Sequence, residues 1–164
     1  MKAASENSPS AVQRYREELR ESGFRPVQIW VPDLRKRTVA DDCAKQSASI
    51  APAPAEEGHG LNRGAVLNVT IDAAEAQVVV LQAPCFDRHG TILVARLTTN
   101  TTEAPLLRIP VRLKRPFRLK SPMKIMIDDL ITLPVDDVLH HIGDIDKQTS
   151  MALTRALSLF VGIA

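Results

Sequence analysis

From Ala65 onward the chain is cut into short apolar runs, each fenced by Asp, Gly, Asn or Pro. The runs cover residues 65–71, 77–82, 91–97, 106–111, 123–128 and 131–133. Segments of that length are too short for ordinary helices, and their close, even spacing predicts a small barrel or strongly bent sheet. Pro110 cannot donate to a ladder, so its strand belongs at an edge. After Asp146, an N-cap by residue type, Leu153, Leu157, Phe160 and Val161 recur at i, i+4, i+7 and i+8, and Gly162 follows. That pattern predicts a closing helix on the sheet, an α+β module over residues 63–164.

The front of the chain reads differently. Residues 1–10 are polar and expected to be disordered. Ser10-Ala11-Val12-Gln13 has capping-box form, and Val12, Tyr15 and Leu19 share one stripe of a helix over residues 11–22 that Gly23 should stop. In Arg25-Pro26-Val27-Gln28-Ile29-Trp30-Val31-Pro32 the side chains alternate, which predicts a short strand between prolines. Thr38-Val39-Ala40-Asp41 then opens a second helix reaching about residue 47. The arm 11–48 is therefore expected to be helix, strand, helix. Residues 49–62, rich in Ala, Pro and Gly, read as a linker and domain boundary.

Composition narrows the function classes. A formal charge of +2 over 164 residues carries no argument for nucleic acid, so only local clusters of Lys and Arg can. No stretch approaches the roughly 20 apolar residues of a membrane span, and the start lacks the apolar run of a signal peptide, so a soluble, cytoplasmic protein without a membrane partner is expected. Cys43 and Cys85 form no CxxC pair and read as buried thiols. His140-His141 lack a third ligand at metal spacing, Asp136-Asp137 serve a turn as readily as a site, and neither metal nor cofactor is expected.

Two blocks resemble known families. Tyr15-Arg16-Glu17-Glu18-Leu19-Arg20, the run 25–33 and Cys43-Ala44-Lys45-Gln46-Ser47 are similar to MazE-like antitoxins. Arg63-Gly64, Ala95-Arg96-Leu97-Thr98-Thr99, Ala104-Pro105-Leu106-Leu107-Arg108-Ile109, Lys120-Ser121-Pro122, Ile127-Asp128 and the closing run 156–163 resemble MazF/PemK toxins across residues 63–164. The second resemblance implies an SH3-like barrel with a C-terminal helix, dimerisation, and metal-free cleavage of single-stranded RNA. The first implies a dimeric segment that binds operator DNA and blocks a cognate toxin. Both in one chain imply a fused toxin–antitoxin protein.

The toxin family implies a catalytic hydroxyl at Thr98, with Thr99 beside it, and an Arg opening the second strand. Ala76 stands at that Arg position. Losing one electrostatic donor lowers rate by roughly 10²–10³, so cleavage is expected to be weak or lost unless another cation serves. Arg63, Arg88, Arg108 and Arg118 are the candidates. The alternative is a non-enzymatic DNA-binding autoregulator, or a toxin-neutralising antitoxin, on a degenerate toxin scaffold.

Two basic clusters remain open. Arg112, Lys114, Arg115, Arg118 and Lys120, with Phe117 among them, either line an RNA groove with Arg63 or form a solvated loop. His89 before Gly90 could act as an acid or base near the barrel, or be a turn histidine. Arg25, Gln28 and Trp30, with Arg35, Lys36 and Arg37 after them, either enter a major groove or form a toxin-facing edge with a basic turn. Because the chain passes into linker soon after Ser47, the arm 1–48 is expected to dock only weakly on its own barrel.

Overall fold

The computed structural model describes residues 10–50, 61–117 and 119–163. The expected disorder of residues 1–10 falls almost wholly outside them, as do most of the linker and Arg118. The chain divides into two compact units between Val31 and Pro32.

In the first unit, helix α1 spans Ala11–Glu21. Ser10 Oγ accepts from the Gln13 amide at 3.2 Å while Gln13 Oε1 accepts from the Ser10 amide at 2.7 Å, so both partners of the capping box are engaged. At the other end Gly23 takes φ +82°, with Gly23 N–H donating to Arg20 O and Phe24 N–H to Leu19 O. This left-handed turn satisfies carbonyls the helix leaves open. Residues 25–32 are not a strand, which corrects the expectation. A strand requires a ladder partner, and among the described residues this segment has none; its side chains are exposed, Trp30 at 94%.

The second unit contains helix α2 (Arg37–Ser49), strands β1 (Ala65–Ile71), β2 (Ala74–Val80), β3 (Thr91–Thr98), β4 (Arg108–Pro110), β5 (Lys124–Pro134) and β6 (Val138–Asp144), and helix α3 (Lys147–Phe160). The six strands form one antiparallel sheet in the order β4-β5-β3-β2-β1-β6. Pro110 does lie on an edge strand. A bridge between Leu113 and Ile145 brings the chain beyond one edge to the chain beyond the other, curling the sheet toward a barrel.

Alternating residues supply two cores. Val66, Val79, Ala95 and Ile125 face one side, where Leu153 and Ala156 of α3 complete the packing. Leu67, Val69, Val78, Val80, Ile92 and Val94 face the other. Helix α3 is held at its start by Asp146, which accepts from the Thr149 amide at 2.7 Å, and Thr149 Oγ1 in turn accepts from the Arg112 amide at 3.1 Å. Helix α2 starts at Arg37, with Lys36 as a cap that makes no side-chain bond. It packs on the 3-10 turn Pro84–Phe86, and buried Ser47 accepts from the Arg88 amide at 3.2 Å. That contact seats residues 37–49 of the arm, expected to dock only weakly, directly on the toxin module.

Candidate functional site

Thr98 is the last residue of β3, half-buried, and Thr99 beyond it is exposed. Strand β2 pairs with β3 as Val80↔Val94, Val79↔Ala95 and Val78↔Arg96. Continuing that register by two residues sets Ala76 across from Thr98. Directly opposite residues hold their Cβ atoms roughly 5 Å apart, so on that extended register the position the resemblance reserves for an Arg would face the hydroxyl with only a methyl. The turn joining β1 to β2 is two residues long, Asp72 and Ala73, both at positive φ (51° and 63°). These are the dihedrals of the tight hairpin turn whose twist matches the strands.

Two cations flank Thr98 that sequence reasoning did not single out. Lys124, at the start of β5, is its ladder partner on the other side. Its ammonium donates to Thr101 O at 3.1 Å and Thr102 O at 3.0 Å and lies 3.6 Å from Glu103. Arg96 precedes Thr98 by two residues and so shares its face of β3. Its Nε is enclosed without a hydrogen-bond acceptor among the described residues and lies 3.7 Å from Asp129 Oδ2. Period-two alternation alone would have paired Arg96 with Thr98; the Lys124 pairing needs long-range register. The loop beyond Thr98 is internally bonded: Thr98 Oγ1 accepts from the Asn100 amide, and Asn100 Oδ1 accepts from the Thr102 amide and hydroxyl. The Thr98 oxygen is thereby fixed while its proton stays available to a phosphate oxygen.

Among the described residues, Arg63, Arg108 and Lys114 make side-chain contacts elsewhere. Arg63 donates to Thr154 Oγ1 on α3 at 3.2 Å. The Arg88 amide is bonded to α2. Arg108 forms a two-pronged pair with Asp128, one arm at 3.0 Å, and this bond holds the Asp128 carboxyl below the usual carboxylate range. Lys114 is tied to β6, its amide to Asp144 O and its ammonium 3.9 Å from Asp144 Oδ2. Phe117 stands edge-on to His141, ring centres 6.3 Å apart. Arg115 and Lys120 are exposed, Lys120 four residues before Lys124. His89 Nδ1 shares a hydrogen bond with Thr91 Oγ1 at 3.3 Å.

Arg25, Gln28 and Trp30 lie in the first unit and are all exposed, while Arg35, Lys36 and Arg37 open the second. Arg35 is paired with Asp33 at 2.8 Å and Arg37 with Asp41 at 3.8 Å, both on the surface. Among the described residues no three His, Cys, Asp or Glu side chains are grouped to hold a metal ion, and no helix is long and apolar enough to cross a membrane.

Comparison with known proteins bears on both parts of the chain. The family described as Antitoxin MazE-like matches residues 9–62, and that described as PemK-like, MazF-like toxin of type II toxin-antitoxin system matches residues 62–161. The Probable endoribonuclease MazF of Mycolicibacterium smegmatis is 33% identical over 87 residues, which are 53% of this chain and 80% of that protein. The Antitoxin MazE of the same organism is 48% identical over 40 residues, 24% of this chain, and the chain spans 58% of that antitoxin's length. Among solved structures, an endoribonuclease in complex with its cognate antitoxin from a mycobacterial species superposes with TM-score 0.53 at 20% identity, covering 63% of this chain and 96% of its own. The sheet and both matched segments thus agree, and the chain belongs to the PemK-like, MazF-like toxins of type II toxin–antitoxin systems, with a MazE-like antitoxin segment in front of its toxin module.

Proposed function

We propose that the toxin module binds single-stranded RNA at the Thr98 end of the sheet and cleaves it weakly or not at all. One feature carries this reading: extending the β2–β3 pairing by two residues beyond Val78↔Arg96 brings Ala76 opposite Thr98. Metal-free cleavage needs a base for the 2′-hydroxyl and a cation for the charge that develops on phosphorus. Thr98 can orient a phosphate oxygen. The two cations nearest in the sheet, Arg96 and Lys124, are each held by an acidic side chain, Asp129 and Glu103. A paired cation still attracts RNA, but its charge is partly neutralised for the reaction.

The test is cleavage of a long single-stranded RNA by the full chain beside the variant Ala76→Arg. Restoring one positioned cation should raise the rate by roughly 10²-fold or more. Thr98→Ala in the Ala76→Arg background should remove the gain. Vigorous cleavage by the unaltered chain that disappears in Thr98→Ala overturns the proposal.

A second reading concerns residues 25–37. Exposure of the whole segment 25–32, with Trp30 at 94%, favours a surface completed by something outside this chain. We assign it to self-association as a homodimer and to operator DNA, with Arg25 and Gln28 at base edges and Arg35, Lys36 and Arg37 at phosphates. The same segment is the natural contact for a cognate toxin. Sedimentation giving only monomer at micromolar concentration counts against the dimer, and unchanged DNA affinity in Arg25→Ala/Gln28→Ala counts against the groove contact.

A further inference from the structure

Helix α2 belongs to the MazE-like segment, yet it rests on the turn Pro84–Phe86 between β2 and β3 of the toxin module. Ala40 and Ala44 from the helix, with Pro84, Cys85 and Arg88, line the small groove at this contact. Ser47 anchors it through the Arg88 amide at 3.2 Å. Cys43 precedes Ser47 by four residues and therefore lies on the same face of α2. Cys85 is the middle residue of the turn. Both cysteines are free and half-buried, one on the helix and one on the turn that it packs against. Two small residues either side of Cys43, Ala40 and Ala44, let the helix approach the turn closely.

We propose that Cys43 and Cys85 are a redox-reversible pair whose disulfide fastens the antitoxin-like helix to the toxin module. The oxidant is a peroxide. It takes one thiolate to a sulfenic acid with release of hydroxide; the second thiol then attacks that sulfur, the S–S bond forms and water leaves. Overall two thiols and one hydrogen peroxide give one disulfide and two waters. A dithiol reductant reverses it by exchange. Burial, and then the hydrogen bond with Cys43, push the Cys85 thiol above its ordinary range. The pair accordingly oxidises slowly at neutral pH and faster as pH rises, since the thiolate is the reactive form.

The clamp sits at the opposite end of β3 from Thr98. Eight residues of strand separate Thr91 from Thr98 inclusive, roughly 20 Å at about 3.3 Å per residue. Its role is to retain the antitoxin-like segment, and it does not depend on whether the module cleaves RNA.

The full chain is treated with hydrogen peroxide, remaining thiols are alkylated, and trypsin digestion without reductant is followed by mass spectrometry. The expected product is one chain in which peptide 38–45 is linked to peptide 64–88, reversed by reductant and absent in Cys43→Ser and in Cys85→Ser. In the oxidised chain, amide exchange along α2 should slow by about tenfold, because opening of the helix away from the turn is blocked. Unlinked sulfenic or sulfinic acids on either cysteine, disulfides between chains instead of within one, or exchange along α2 unaltered by oxidation each overturn the proposal.

Discussion

Helices α1 and α3 are built by the same local device and end in different circumstances. Each begins at a side-chain cap that accepts the amide of the third helical residue, Ser10 for α1 and Asp146 for α3. Yet α1 buries no residue, and its Val12 and Tyr15 are 59% and 47% exposed, whereas α3 buries Thr149, Leu153 and Ala156. Caps and periodicity therefore decide whether a helix forms; density of apolar residues on one face decides whether the fold depends on it. An eleven-residue helix without tertiary burial is marginal in water, so α1 depends mainly on its caps.

The sharpest way to test this contrast is Leu153→Ala, which should destabilise the protein by about 2–5 kcal/mol in denaturant unfolding, since the side chain is 1% exposed inside a packed core. A much smaller loss would place α3 on the periphery with α1. Next comes the cap: Asp146→Ala should cost about 1 kcal/mol in global stability. The backbone hydrogen bond from Thr149 holds the Asp146 carboxyl below its ordinary range. A group whose folded value is depressed stabilises the fold above its unfolded value and loses that contribution as pH falls through the folded one. Stability should therefore fade below the usual carboxylate range, and Asp146→Asn should flatten that part of the acid limb.

Smallest of all, Val12→Ala should change unfolding by no more than about 0.5 kcal/mol, the range for exposed positions. Ser10→Ala should lower the helicity of α1, read from amide exchange at residues 11–14, without moving the main transition. If Val12→Ala costs as much as Leu153→Ala, α1 has a buried face and the contrast collapses.

What the sequence made legible follows from the same distinction. The helix termini are legible because capping is local, and β1 and β3 because each is a short apolar run fenced by turn residues. In sequence β6 shows only a histidine pair. Its pairing with β1 shifts register twice, between Val66 and Leu67 and between Asn68 and Val69, and each irregularity breaks the period-two pattern that marks a strand. β5 was read as two runs because Asp128-Asp129 interrupts the apolar residues. In the structure that interruption is a bulge opposite β3, and its two carboxylates receive Arg108 and Arg96.

At residues 25–32 the pattern was that of a strand, but pattern cannot supply a neighbour for the ladder. Thr98 and Ala76 come from family resemblance, and the ladder between β2 and β3 ends two residues short of them, at Val78↔Arg96. Lys124 was beyond sequence reasoning because it meets Thr98 from 26 positions away, across a pairing that no local periodicity encodes.

The strand order has a consequence in time. Ala65 of β1 pairs with Asp144 of β6, and Leu113 meets Ile145 only after β6 is in place. A chain made from its N-terminus at a ribosome therefore finishes α1 and α2 while the sheet still lacks an edge, and long-range pairings of this kind are the slow ones. By the time the last strand emerges and the toxin module closes, the antitoxin-like helix has already been synthesised and is tethered beside it. Order of translation thus makes the antitoxin-like segment present before the toxin fold exists.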